Sequence, residues 1–267
     1  MVIDQTKTVV VLKVGGELFL DQAARIALIR EIQTLTKKGI IPIVVHGGGP
    51  QISALMKRVG KTPHFNQGLR VTDEETLHLT AMVLLGEINA PFVSELTARD
   101  VAACGMHGGD TKLFTITPQH HLGRVGEVAV VAPALVLSLV QQGIVPVIAP
   151  LGIDDAGLLY NINADTAAAA LASAVHADAL LLSTNVQGLY GDFHDKSTLL
   201  TAVTPAKVEE LMARGALGEG MIPKCNAALS ALRGGVSQVY IFDGRAQGEI
   251  SRTVLEGVCS GTRITIV

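Results

Sequence analysis

The segment Ile43-Val44-Val45-His46-Gly47-Gly48-Gly49-Pro50 decides how the rest of the chain is read. Its β-branched apolar residues suit a buried strand, three consecutive glycines stop that strand, and Pro50 opens a helical pattern, as proline does in a first helical turn. A strand, a glycine loop and a helix in that order leave unpaired N–H groups at the helix start, with no side chain to hold an anion away. One reading is a phosphate cradle. The other is a tight turn in which glycine only relieves crowding.

Outward from this unit the chain alternates strand and helix. Residues 8–14 (TVVVLKV) are continuously apolar apart from one lysine, as expected of a parallel strand covered on both faces, and Gly15-Gly16 ends them. A helical pattern over 21–38 with Gly39 as its C-cap, then a strand over 40–45, predicts a right-handed βαβ unit. A helix over 50–59 follows, then a polar loop over 61–71, a helical stretch from Asp73 and a second helix over 91–104. Residues 112–117 and 123–131 alternate around His120-His121, which predicts an antiparallel hairpin appended to the sheet. The rest reads as helices over 133–142, 164–175, 205–213, 223–234 and 251–256, with strands over 144–149, 179–183, 238–242 and 262–267. The expectation is an α/β fold: a three-layer α/β/α sandwich around a mainly parallel sheet, in two lobes (1–178 and 179–267), with its ligand at the carboxyl ends of the strands.

At 267 residues and 48% apolar content the chain can bury a large core. A net charge of −3, 3% aromatic residues and no tryptophan supply neither a basic stripe nor a stacking platform, so no nucleic-acid partner is expected. Cys104, Cys225 and Cys259 are scattered and odd in number, which suits a reducing cytoplasm and core packing better than disulfides or a metal. Residues 125–153 are the most membrane-like, but Glu127, Pro133, Gly143 and Pro146 interrupt them, and no membrane partner is expected.

Lys13 stands inside an apolar strand, just before Gly15-Gly16. There it needs either an anionic partner or an edge position from which its amine reaches water. With KVGGE, HGGGPQI, NQGLRVTDEE, YNINAD, LSTNVQGLY and GEGMIPK in this order, the sequence resembles the amino acid kinase family along nearly its whole length. HGGGP with GLRVTD and NINAD resembles the branch that phosphorylates N-acetyl-L-glutamate on its γ-carboxylate, in arginine biosynthesis.

That resemblance implies the amino acid kinase fold, with ATP and Mg²⁺ as cofactors, the metal being held mainly by the nucleotide phosphates and not by a protein site. Lys13 and Lys224 correspond to the two lysines that clamp the transferring phosphoryl group, Asp165 to the acid that orients them, and Gly15, Gly47 and Gly48 to its backbone donors. Gly48, Gly49, Arg70, Asn161 and Asn163 are expected to bind substrate, Arg70 through the α-carboxylate. Lys13, Gly15, Gly16, Thr184, Asn185, Val186, Gly188, Leu189 and Lys224 are expected beside the nucleotide. Here the chain departs from the family pattern, with Asn185 where an acid is usual and Gln187 where proline is usual. His46 is expected to bond the loop backbone. The resemblance further implies a cytoplasmic homodimer insensitive to arginine. The alternatives are a sibling kinase of a carrier-linked aminoadipate and a catalytically silent, ligand-sensing protein of the same fold.

Overall fold

The computed structural model describes residues 8–218 and 220–266, so Val267, at the end of the last expected strand, lies outside the described residues. The apolar run before the first glycine pair forms β1 (Val10–Val14), every residue of it buried. After a short 3-10 turn the chain enters α1 (Gln22–Lys37), capped by Asp21, whose Oδ1 accepts from the amides of Ala23 and Ala24. It returns as β2 (Ile43–His46), parallel to β1 with Val14 opposite His46, and continues into α2 (Gly49–Arg58) with Pro50 in the first turn. This register sets the two glycine loops side by side. A Cβ on Gly16 would lie 2.9 Å from Gly48 Cα, so only glycine permits the approach.

The polar stretch expected to be a loop contains a small hairpin, β3 (Phe65–Asn66) and β4 (Leu69–Arg70), turned by Gln67 and Gly68 at φ 49° and 80°. Then α3 (Glu74–Ala81) passes through a π-helical stretch, Met82–Asn89, into α4 (Ala90–Thr97). One continuous helix therefore replaces the two expected. By length and composition it could cross a membrane, yet Val83, Leu84, Ile88, Phe92 and Leu96 are buried in the core. The helix expected to reach residue 104 stops at Thr97, and Ala103–His107 is instead a strand, β5. So short a run, VAACGMH, carries no period that separates helix from strand.

The expected hairpin is present as β6 (Phe114–Pro118) and β7 (Gly126–Val131), followed by α5 (Ala134–Gln141), β8 (Val145–Ala149), β9 (Leu151–Ile153) and β10 (Leu159–Asn161). It does not extend the main sheet. It joins β9 and β10, two strands too short to be read from sequence, in a separate four-stranded sheet ordered β10-β9-β6-β7. The last part of the chain gives α6 (Ala164–Ala174), β11 (Ala179–Thr184), the short strands β12 (Leu189–Tyr190), β13 (Leu199–Leu200) and β14 (Ala202–Val203), α7 (Pro205–Ala213), α8 (Ile222–Arg233), β15 (Gln238–Asp243), α9 (Glu249–Glu256) and β16 (Thr262–Thr265).

The main sheet runs β14-β16-β15-β11-β1-β2-β8-β5, parallel except between β15 and β16. Strands from before residue 178 occupy one half and later strands the other, meeting where β1 pairs with β11. Side-chain alternation divides the core into two layers. Val9 and Val11 face the small residues of α6 and α8, whereas Val10, Leu12 and Val14 face α1 and the long helix. The α/β/α sandwich is thus formed, and every strand adjoining β1 delivers its carboxyl end to one rim.

Candidate active site

Lys13 shares the α6-facing side of β1 with Val9 and Val11, in the middle of the sheet, so it cannot reach water from an edge. It is 5% exposed, and Asp165 in the first turn of α6 meets it there. Lys13 Nζ lies 2.9 Å from Asp165 Oδ1, a buried ion pair. On the other carboxylate oxygen, Oδ2, Lys224 Nζ donates at 3.1 Å. Asn163 places the acid, because its Oδ1 caps α6 by accepting from the amides of Asp165 and Thr166. Pro223 in the first turn of α8 similarly fixes the start of the helix that carries Lys224.

Burial works against ionisation of Asp165, but the two ammonium groups outweigh it and hold the carboxyl below its usual range. At Lys13 burial also dominates and moves the ammonium below the ordinary lysine value, against the pull of Asp165. Two lysines on one carboxylate leave one positive charge in excess, which suits an incoming anion.

Two cavities adjoin at this triad, since Lys13 and Gly16 line both. The larger, about 900 Å³, is bounded by Gly15, Thr184, Asn185, Val186 and Lys224. The smaller, about 210 Å³, is bounded by Gly48, Gly49, Arg70, Asn161, Asn163 and Asp165. The structure thus gathers most of the residues singled out from sequence, and sorts them into two compartments. Gly188 and Leu189 are exceptions. They do not line the larger cavity but are buried against β16, where Leu189 N–H donates to Thr262 Oγ1 at 2.8 Å and a Cβ on Gly188 would meet the same hydroxyl.

Gly47 also departs from expectation as a phosphoryl donor. Its N–H already donates to Val14 O at 2.8 Å, the bond that carries the β1–β2 ladder into the loop. The amides of Gly48 and Gly49, at the start of α2, have no acceptor among the described residues. Within this loop they are the donors left for an anion.

Arg70, at the end of β4, is 8% exposed. Its Nη2 donates to Gly49 O at 3.0 Å and Ser53 Oγ at 2.8 Å, its Nη1 meets Met56 Sδ at 3.2 Å, and its guanidinium lies 4.8 Å from the Phe65 ring centroid. Burial lowers its pKa from the usual arginine value, yet a guanidinium stays charged in proteins. Among the described residues none of its partners is a carboxylate.

Two further side chains shape the rim and were not singled out from sequence. Gln51 Nε2 donates to Gly16 O at 2.8 Å and so ties the two glycine loops together. Arg245 lines the larger cavity, forks onto Asp243 at 2.9 and 2.8 Å, and donates to Asn185 O at 2.9 Å, which fastens the end of β15 to the loop after β11. A basic residue just past a strand's carboxyl end was the available signal for Arg245; Gln51 carried none.

Residues 8–243 match the amino acid kinase family. Over 96% of its length the chain is 41% identical to the acetylglutamate kinase of Symbiobacterium thermophilum, covering 90% of that protein. It is 42% identical to the acetylglutamate kinase of Desulfitobacterium hafniense, over 88% of this chain and 84% of the other. Among solved structures it is similar to smu.665 from Streptococcus mutans, with a TM-score of 0.84 and 27% identity over 97% of this chain and 99% of that one.

Proposed function

The chain belongs to the amino acid kinase family, and we propose that it transfers the γ-phosphoryl group of ATP to the γ-carboxylate of N-acetyl-L-glutamate, the acyl-phosphate-forming second step of arginine biosynthesis. The observation that carries this reading is the smaller cavity. It offers a buried guanidinium without a carboxylate partner, Arg70, and the Lys13–Asp165 pair in one compartment. A compact molecule with two carboxylates matches both, one for each.

The acceptor carboxylate has a reference pKa of about 4.3, so it is ionised at neutral pH and needs no base. The obstacle is the approach of one anion to another. Arg70 grips the α-carboxylate, for which a planar fork suits better than a point charge. Asn161 and Asn163 face the acetamido group; Asn163 spends its oxygen on the α6 cap and keeps its NH₂ to donate. The γ-carboxylate oxygen then forms a bond to the γ-phosphorus as the bond to the β,γ-bridging oxygen breaks, and that electron pair leaves with ADP. Lys13, Lys224 and the amides of Gly48 and Gly49 neutralise the oxygens of the group in flight, while Asp165 keeps both ammonium groups in place.

ATP occupies the larger cavity, its phosphates toward Gly15, Gly16, Lys13 and Lys224 and its base toward the half of the sheet formed by 179–267, near Thr184, Asn185 and Val186. Among the described residues no group of three or more His, Cys, Asp or Glu side chains is placed to hold a metal ion; Mg²⁺ would be held by the nucleotide phosphates and water, where it supplies charge neutralisation.

The protein works as a cytoplasmic homodimer in this reading. In support, β5 ends the main sheet with one edge unpaired among the described residues, and Met82 is 60% exposed on the adjoining long helix. A panel of acidic acceptors scored for ADP release tests the substrate. N-acetyl-L-glutamate gives the highest kcat/KM; preference for another acceptor, or no release with any, refutes the assignment.

A further inference from the structure

We propose that His46 and Asn89 are positioning residues that aim the amide of Gly48 at the phosphoryl group, an inference that rests on the phosphoryl-transfer reading above. His46 ends β2 and is fully buried. Its Nδ1 lies 3.1 Å from Gly47 O, and its Nε2 lies 3.1 Å from Asn89 Nδ2. That same Nδ2 is 2.9 Å from the carbonyl of Val147, which can only accept. The Asn89 NH₂ therefore faces both neighbours and donates to each. His46 Nε2 must accept, so the proton sits on Nδ1 and donates to Gly47 O.

A consequence for the glycine loop follows from peptide geometry. No peptide bond in the described chain is cis, so the carbonyl of Gly47 and the N–H of Gly48 point in opposite directions across one planar unit. Holding the carbonyl on the His46 side turns the Gly48 N–H away from it, toward the side on which Gly48 lines the smaller cavity. Without that bond the peptide can rotate and present a carbonyl oxygen to an anion.

The rest of the fold braces the arrangement. Asn89 closes the π-helical stretch Met82–Asn89, and such widened turns are frequent at functional positions. The wider turn lets Leu84, Ile88 and Asn89 converge on one loop: a Cβ on Gly48 would lie 2.8 Å from methyl groups of both Leu84 and Ile88. On its far side Asn89 abuts Gly105 of β5, where a Cβ would collide with Asn89 Oδ1. The Phe19 ring stands edge-on to the imidazole at 5.9 Å between centroids. Burial also holds His46 neutral, with its pKa lowered to about 4, as an accepting Nε2 requires.

Asparagine and leucine at position 46 separate this role from packing, because an asparagine NH₂ falls where imidazole Nδ1 stands and leucine has no donor. In the wild-type enzyme, turnover of N-acetyl-L-glutamate first establishes the parent reading. His46→Leu then lowers kcat roughly 100-fold, the scale of losing one preorganised donor, with both KM values little changed. It weakens binding of ADP with aluminium fluoride, a mimic of the group in flight, and leaves ADP alone unaffected. His46→Asn recovers most of the loss. Equal kcat in the two variants, or a loss confined to KM, overturns the proposal. Imidazole ¹⁵N spectra of the wild-type protein give a test independent of turnover: an Nδ1–H tautomer at neutral pH supports the relay, and an Nε2–H tautomer overturns it.

Discussion

Lys13 and Lys224, separated by most of the chain, hold opposite oxygens of one carboxylate, at 2.9 and 3.1 Å from Asp165 Oδ1 and Oδ2. Charges this deeply buried persist only when paired. Asp165 therefore sets the spacing of two cations before any substrate arrives, and an anionic group entering between the cavities finds them already placed.

Replacing that carboxylate by an amide leaves two ammonium groups facing each other. Asp165→Asn is expected to lose about 3–5 kcal/mol of stability in urea titrations, the range for breaking a buried ion pair, and to lose turnover as well. Unchanged stability would mean that the lysines relax to solvent and that the triad is not preorganised.

The lysines and Arg70 separate kinetically. Lys13→Ala and Lys224→Ala lower kcat far more than they change either KM, because their ammonium groups act on charge that develops in transfer. Arg70→Ala raises the KM for N-acetyl-L-glutamate by roughly 100-fold, the worth of charge-assisted hydrogen bonds. Arg70→Lys recovers little, since it cannot reproduce the fork. Equal effects on both parameters in all three variants would contradict these roles.

Steric contrast within the glycine loop gives a third expectation. Among the described residues nothing outside its own helix turn lies within 4 Å of a Cβ built on Gly49, so Gly49→Ala keeps its melting temperature. A Cβ on Gly48 would lie 2.8 Å from the ends of Leu84 and Ile88, and Gly48→Ala loses about 1–3 kcal/mol, as overpacking does. Gly16→Ala would bring a Cβ within 2.9 Å of the Gly48 backbone; side-chain adjustment cannot relieve that contact, and turnover falls with it. Calorimetry of the three variants checks the order.

Much of this was legible in advance, and for identifiable reasons. Long apolar strands such as β1 and β2, helices with clear caps such as Asp21, and glycine pairs at strand ends advertise themselves locally. Chemistry that depends on which atom is already bonded does not. Gly47 looks equivalent to Gly48 in sequence, yet its N–H belongs to the Val14 carbonyl. Gly188 and Leu189 closely follow β11 but turn into packing against Thr262. Asn89 stands with Glu87 in an otherwise apolar run between two expected helices, and in the structure it ends the π-helical stretch and meets His46.

His46 also predicts a pH dependence of stability. Its folded pKa, lowered to about 4, lies below the ordinary histidine value of 6.5. Between these values the unfolded chain binds a proton that the native protein does not, so stability is full above pH 6.5 and falls as the pH drops toward 4. The loss amounts to about 3 kcal/mol from this group. In urea titrations across that range His46→Asn has a flatter profile than the wild type; parallel profiles would show that the imidazole is not held neutral.

Phosphoryl transfer to the γ-carboxylate has a direct signature, the acyl phosphate itself. The protein is incubated with ATP, Mg²⁺ and N-acetyl-L-glutamate, and hydroxylamine traps the product as a hydroxamate. Hydroxamate is expected to equal the ADP released, to depend on N-acetyl-L-glutamate and to be abolished in Lys13→Ala. ADP release without hydroxamate, or hydroxamate undiminished in Lys13→Ala, would contradict transfer to the γ-carboxylate by the lysine triad.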